Sequence, residues 1–171
     1  MNAKNYFTDS AALGKEGGLD STTARRQLPA LSLLDAFDNQ RPPGLWPHID
    51  RTRLSRELRE RVDNPDAIDQ NPANLCGIVS IVRTWAFDFP MEYVRFALEL
   101  YTRGKAQMIG RSARMARTVN PSVDLRHAAP PQGMPHADWI VAASVRESLN
   151  NVFDYSPGEG IFSVKAWTLP S

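Results

Sequence analysis

Apolar side chains recur at three- and four-residue intervals in three segments of the chain, residues 52–62, 90–103 and 136–152. Polar residues fill many of the intervening positions, which is typical of a helix that packs one face against a core. The pattern therefore predicts three amphipathic helices. Their apolar positions are Leu54, Leu58 and Val62 in the first, Val94, Ala97, Leu98 and Tyr101 in the second, and Val141, Val145, Leu149 and Val152 in the third.

Turn and capping residues mark the ends of these helices. Asp50 or Thr52 can cap the N-terminus of the first helix, and Pro65 ends it. Pro90 suits the first position of the second helix, because its missing N–H is not needed there, and Gly104 can cap the C-terminus.

A further helix is predicted over residues 75–87, and apolar residues cover most of its circumference. A helix of this composition is usually buried on most sides. Asn74 can cap its N-terminus, which would put Cys76 at the second helical position. The apolar residues are Ile78, Val79, Ile81, Val82, Trp85 and Ala86.

The remaining segments set the expected domain organisation. Residues 1–30 are rich in small, polar and charged side chains, and we expect residues 1–40 to form a flexible N-terminal arm with one short apolar docking turn at residues 31–37. Residues 41–171 are expected to form one domain. Prolines predict a loop over residues 121–135, and β-prone residues predict a strand over 161–169. The fold class is therefore mainly α (α+β), with little strand near the C-terminus.

Composition and charge narrow the possible partners and location. The chain is 42% hydrophobic and 23% charged with a net charge of +1, so no overall charge attracts nucleic acid or anionic membrane. Residues 103–117 hold five basic residues and no acidic one, which favours a solvated hairpin or helix over a nucleic-acid or lipid-binding face. Neither a membrane span of about 18–20 apolar residues nor a standard signal peptide is predicted. We expect a cytoplasmic protein, or one exported without such a signal.

Cys76 is the only cysteine in the chain. A single cysteine excludes an internal disulfide and a cysteine-based zinc site, and we predict no metal and no cofactor. The thiol is either a small buried hydrophobe or a reactive group. Its position after a turn-rich stretch, at the start of the buried helix, favours the reactive alternative because a helix N-terminus stabilises a thiolate.

A cysteine nucleophile also needs an oxyanion site and a base. Gln70 lies six residues before Cys76, and its amide can add an oxyanion donor to the backbone N–H groups of the helix start. Gly77 allows close approach of a substrate.

Three histidines are candidates for the base. His48 and His127 are better explained as loop residues, whereas His136 follows Cys76 by 60 positions and is the best candidate by order in the chain. Capping of a helix is the alternative role for His136. Asp138 is a poor orienting group because residues two apart on a helix do not face each other, and it is better explained as a first-turn acid.

The arrangement of Gln70, Cys76 and Gly77 before a buried helix resembles the nucleophile region of papain-like cysteine peptidases. More narrowly, residues 45–165 resemble a group of papain-fold bacterial proteins that includes candidate secreted effectors and toxins. The residues that carry this second resemblance are Asn64-Pro65, Asp69-Gln70, Leu75-Cys76-Gly77, Ser80, Pro90, Tyr93, Leu100-Tyr101, Gly104, Asp138-Trp139-Ile140, Ser144, Arg146 and Asn150.

The resemblance implies a thiol protease or amidase with Cys76 as nucleophile, Gln70 at the oxyanion and His136 as the local base. Val79 and Ser80 stand where papain has a second cysteine and an aromatic residue. The family's catalytic histidine lies in a β-rich half that would follow the end of this sequence. We therefore expect only the helical lobe of a papain-like fold, as a fragment, a split protein or a natural truncation.

Two functions remain open at this point, ahead of a third and weakest one, a nucleic-acid or membrane-surface binder that uses Arg103 to Arg117. One is a papain-like cysteine hydrolase acting on a protein or peptide substrate. The other is a catalytically incomplete interaction domain that binds a partner protein, a complementary lobe or a second copy of the chain.

Overall fold

The computed structural model describes residues 21–68, 76–109 and 117–153, and it describes only the backbone of Ser21, Cys76 and residues 150–153. Within these ranges the fold has six α-helices and one two-stranded antiparallel sheet, so the mainly helical class is confirmed. The elements are α1 (Ser21–Gln40), α2 (Arg51–Asp63), α3 (Cys76–Asp88), α4 (Pro90–Arg103), β1 (Ala106–Met108), β2 (Arg117–Val119), α5 (Val123–His127) and α6 (His136–Phe153). None of the described helices is long and apolar enough to cross a membrane.

Helix α4 lies at the centre of the hydrophobic core, where it packs against α1, α3, α6 and β1. One residue, Phe89, separates it from α3, and the Trp85 ring of α3 meets the Tyr93 and Phe96 rings edge-on. Edge-on packing places the positive edge of one ring against the negative face of another. The aromatic contacts therefore hold α3 and α4 together beside their short connection.

The predicted boundaries of α2 and α4 are confirmed. Asp50 caps α2, and its carboxylate accepts a 2.6 Å hydrogen bond from the N–H of Arg53. Pro90 is the first residue of α4, and Gly104 follows the last with φ of +70°. Glycine enters this left-handed region without the steric cost of a Cβ atom. The two helices therefore begin and end where their capping residues predict.

Residues 21–40 differ from the expectation of a flexible arm, because they form the 20-residue helix α1. The residues that α1 buries are spaced three or four apart, at Gln27, Ala30, Leu34 and Phe37. Because these buried residues include a polar side chain and an alanine, the hydropathy pattern of the sequence does not reveal the buried stripe of α1. The Gln27 side chain donates a 2.8 Å hydrogen bond to the carbonyl of Val62, near the end of α2, and tertiary contacts thus stabilise α1.

The loop predicted over residues 121–135 contains the short helix α5. Ser122 caps it, because its hydroxyl accepts a 3.1 Å hydrogen bond from the N–H of Leu125. The basic stretch, residues 103–117, holds β1 and the start of β2, and Ala106 lies opposite Val119 in the pairing. This placement agrees with a surface hairpin. The predicted strand at residues 161–169 and the predicted cap Asn74 lie outside the described residues.

Candidate functional site

The predicted nucleophile, Cys76, is the first residue of α3. The backbone N–H groups of a first helical turn have no partner within the helix. Among the described residues, a Cβ atom added at Gly77 would meet nothing within 4 Å. The structure describes no side-chain atoms of Cys76, and Gln70 lies outside the described residues.

The predicted base, His136, is the first residue of α6 and contacts the start of α2. Its Nδ1 atom accepts a 3.0 Å hydrogen bond from the backbone N–H of Asp50. Partial burial lowers the pKa of His136, and the nearby Arg53 guanidinium lowers it further. The neutral imidazole therefore has Nδ1 as an acceptor, in a contact that fixes the start of α6 to the cap of α2. Its service as a base for Cys76 stays a prediction.

Of the other two histidines, both predicted as loop residues, only His48 lies in a loop. His48 is exposed in the loop before α2, and His127 is exposed at the last position of α5.

Asp138 and Arg61 form an ion pair in the interior. The guanidinium donates two hydrogen bonds to the carboxylate, Nε to Oδ1 at 3.1 Å and Nη2 to Oδ2 at 2.7 Å. The side chains are 6% exposed for Arg61 and 0% for Asp138. Two parallel charge-assisted bonds fix both the distance and the orientation of α2 against α6. Asp138 is indeed a first-turn acid, but its main role is to balance a buried arginine.

Glu57 completes this connection by capping α6 from another helix. Its Oε2 atom accepts a 3.0 Å hydrogen bond from the backbone N–H of Ala137, and its Oε1 atom accepts a 2.6 Å bond from Nε of Arg53. A carboxylate is favoured here because the N-terminus of a helix carries unsatisfied N–H groups and a partial positive charge.

Tyr93, on α4, extends toward the same charges from the centre of the core. Its hydroxyl is buried and has no hydrogen-bond partner among the described residues. Burial raises the pKa of Tyr93 well above its ordinary value, and the Asp138 carboxylate raises it further. The hydroxyl therefore stays protonated. We call Glu57, Arg61, Tyr93, His136 and Asp138 the polar junction.

Sequence reasoning missed the polar junction, although one signal pointed to it. Glu57 and Arg61 lie beside the apolar stripe of α2, one position before Leu58 and Val62. Charged residues so close to a buried stripe need partners in the core. The partner in α6 is 77 residues from Arg61, and no local pattern identifies it.

A groove of about 610 Å³ opens between α3, the second half of α6 and the hairpin of β1 and β2. The groove is lined mainly by apolar side chains. Its lining residues are Ser80, Ile81, Thr84, Trp85, Asp88, Phe89, Met108, Ile109, Arg117, Val119, Val145, Ser148 and Leu149.

Trp85 joins two walls of the groove. Its indole N–H donates a 3.0 Å hydrogen bond to the carbonyl of Ile109, just after β1. The polar atom of the ring is thereby satisfied, and the apolar remainder is available to the core and to the groove. Ile81, one turn earlier on α3, is 52% exposed. Large apolar side chains exposed beside an apolar cleft are typical of a binding surface.

The groove and the polar junction involve different halves of α6. Val145, the first groove residue on α6, is nine positions after His136, which is about 14 Å along a helix axis. Among the described residues, no group of three His, Cys, Asp or Glu side chains could hold a metal ion.

Compared with known proteins, the chain matches no family model, no curated protein and no solved structure.

Proposed function

We propose that this chain is an interaction domain, and that its groove binds an apolar segment of a partner protein. The observation that carries the proposal is the open apolar cleft of about 610 Å³ along α3, with half-exposed Ile81 on its rim. Removing apolar surface from water contributes roughly 25 cal/mol per Å², so a segment that fills the cleft gains most of its affinity from burial.

The dimensions of the groove favour a short extended segment. Its wall on α3 runs over the nine residues from Ser80 to Asp88, about 12 Å, which matches about four residues of extended chain. Arg117 is the one basic side chain among the described lining residues, and its guanidinium can donate to main-chain carbonyls of the segment. We expect a partner segment with two apolar side chains separated by one residue.

Selection of binding peptides from a random display library tests this function on the full chain. We expect enrichment of segments with the apolar spacing described above. Ile81→Asp should weaken their binding at least about tenfold, because it places a charge on the apolar rim. Val123→Asp is the matched control, since Val123 on α5 is 55% exposed and lies outside the groove lining. Absence of enrichment, or equal affinities for the chain and Ile81→Asp, would refute the proposal.

A second candidate is a papain-like cysteine hydrolase of the effector or toxin type, built on the helical lobe of that fold. The observation that favours it is the start of α3 at Cys76 beside Gly77. In this proposal the thiolate attacks an amide carbonyl to form a thioester, and His136 transfers the thiol proton to the departing amine. Water then hydrolyses the thioester and regenerates the thiol, while Gln70 helps to hold the oxyanion.

Thiol reactivity separates this candidate from the interaction domain. Iodoacetamide should label Cys76 of the folded chain near pH 7 faster than the same cysteine in urea, because only the folded chain has the helix start that stabilises the thiolate. Cleavage of a peptide library should disappear in Cys76→Ala. Labelling no faster than in the unfolded chain would remove the catalytic candidate and leave the interaction domain intact.

A further inference from the structure

We infer that residues 161–169 of the same chain occupy the groove when no partner is bound, so that the domain regulates its own binding site. This inference rests on the proposed function, because it names the competitor for the partner segment. Four observations support it: the point at which the chain leaves α6, the length that follows, the composition of the segment, and the open edge of β2.

The chain leaves α6 close to the groove. Val145, Ser148 and Leu149 line the groove, and α6 ends at Phe153, four residues or about 6 Å beyond Leu149. The last described residue therefore lies about 6 Å, measured along the helix, from the groove lining.

The connection is long enough for the chain to turn back. Seven residues, 154–160, separate α6 from the segment, and they can span at most about 25 Å. This exceeds the groove wall of about 12 Å. Pro157 and Gly158 lie in the middle of the connection, and such a pair favours a tight turn.

The composition of the segment complements the groove. Six of its nine residues are apolar, and the run is rich in β-prone side chains. Lys165 is its one charged residue, and its sign is opposite to that of Asp88 on the groove wall. The apolar residues are Ile161, Phe162, Val164, Ala166, Trp167 and Leu169.

The hairpin also offers a backbone edge. In the described sheet β2 pairs with β1 alone, and β2 is the strand that contacts α6. An extended segment beside β2 can add main-chain hydrogen bonds at this edge while its apolar side chains enter the groove. A tethered segment has an effective concentration in the millimolar range, which is enough to compete with a separate partner.

Hydrogen exchange on the full chain tests the occupancy directly. We expect residues 161–169 to be protected in the unmodified chain and to lose this protection in Leu149→Asp. Ile81→Asp, at the half-exposed rim, should do the same without risk to the core, and Val123→Asp should leave the protection unchanged. Exchange at the rate of an unstructured peptide in the unmodified chain, or protection that survives both groove variants, would overturn the inference. Protection that appears only at higher protein concentration would assign the occupant to a second copy and would also overturn it.

The affinity of a selected peptide distinguishes this inference from the proposed function. Phe162→Asp should release the segment and strengthen peptide binding at least about tenfold over the unmodified chain. Equal affinities would refute self-occupancy while the binding function stands. If no peptide binds either form and protection of residues 161–169 still depends on Leu149, self-occupancy stands and the partner-binding function fails.

Discussion

The two ends of α6 differ in how they meet the rest of the fold. At its start, Asp138 and the N–H of Ala137 are held by Arg61 and Glu57 of α2 in fixed, buried contacts. At its end, Val145 and Leu149 border an open apolar groove. The first arrangement is specific and fully enclosed, whereas the second leaves apolar surface for another segment. One helix thus combines an anchor that maintains the fold with a surface that can bind.

Loss of Asp138 should have the largest effect on stability. Asp138→Ala leaves the Arg61 guanidinium buried without its carboxylate, and we expect the free energy of unfolding to fall by about 3–5 kcal/mol. Urea denaturation measures the change. Glu99→Ala is the matched control, because it removes the more exposed ion pair with Arg103 and should cost at most about 1 kcal/mol. Similar losses of stability in the two variants would show that the Arg61–Asp138 ion pair does not anchor α6 to α2.

The double substitution Arg61→Met with Asp138→Leu tests whether the unbalanced charge of Arg61 causes this loss of stability. Replacing both partners by apolar residues of similar size removes the unbalanced charge, so we expect most of the lost stability to return.

The hydroxyl of Tyr93 should oppose folding by a smaller amount. It is buried without a hydrogen-bond partner among the described residues, and Tyr93→Phe removes the cost of its desolvation. We expect the free energy of unfolding to rise by about 1 kcal/mol in urea denaturation. A fall of similar size would show that the hydroxyl bonds a water molecule or another group inside the junction.

His136 should make the same anchor sensitive to pH. Its pKa in the folded chain lies below the ordinary 6.5, so its contribution is present above that pH and is lost as the pH falls. His136→Asn keeps an acceptor for the Asp50 N–H and removes the titration, so its stability should fall less between pH 7.5 and 5.5 than that of the unmodified chain. Arg53, Glu57 and Asp50 surround the imidazole in both proteins. Equal losses of stability in the two proteins over this pH range would show that His136 is not the source of the pH dependence.

The groove end should tolerate substitution best. Ile81→Asp changes a half-exposed side chain, and we expect the free energy of unfolding to change by less than about 0.5 kcal/mol while peptide binding weakens. Thermal unfolding and peptide titration on the same sample measure the two effects. A large loss of stability would mean that Ile81 is needed to maintain the fold. The contrast between the two ends of α6 would then not hold.

The sequence predicts elements whose determinants are local. Asp50, Pro90 and Gly104 mark helix ends because each acts on the backbone within a few residues of itself. Helix α1 was missed because its buried stripe includes Gln27 and Ala30, and because the stripe is buried by tertiary packing of α1 against α2 and α4. The change from turn-rich to apolar sequence predicts the helix that contains Cys76.

The sites themselves depend on distant residues. The groove combines Ile81, Met108, Arg117 and Leu149 from four elements, and periodicity within one element cannot show that they share a cleft. The sequence identifies Asp138 as a first-turn acid. It does not identify Arg61 as the partner, because pairing across 77 positions depends on the packing of the whole fold.

The separation of Arg61 from Asp138 also has a consequence for synthesis on the ribosome. At about 5–20 residues per second, 77 residues take roughly 4–15 s to add, and through this interval α2 exists without its counter-charge. Burying Arg61 and Glu57 before α6 emerges would leave two charges without their α6 partners, so this face of α2 stays hydrated until the last described helix arrives. The arrival of α6 therefore sets the time at which the nascent chain can close its core.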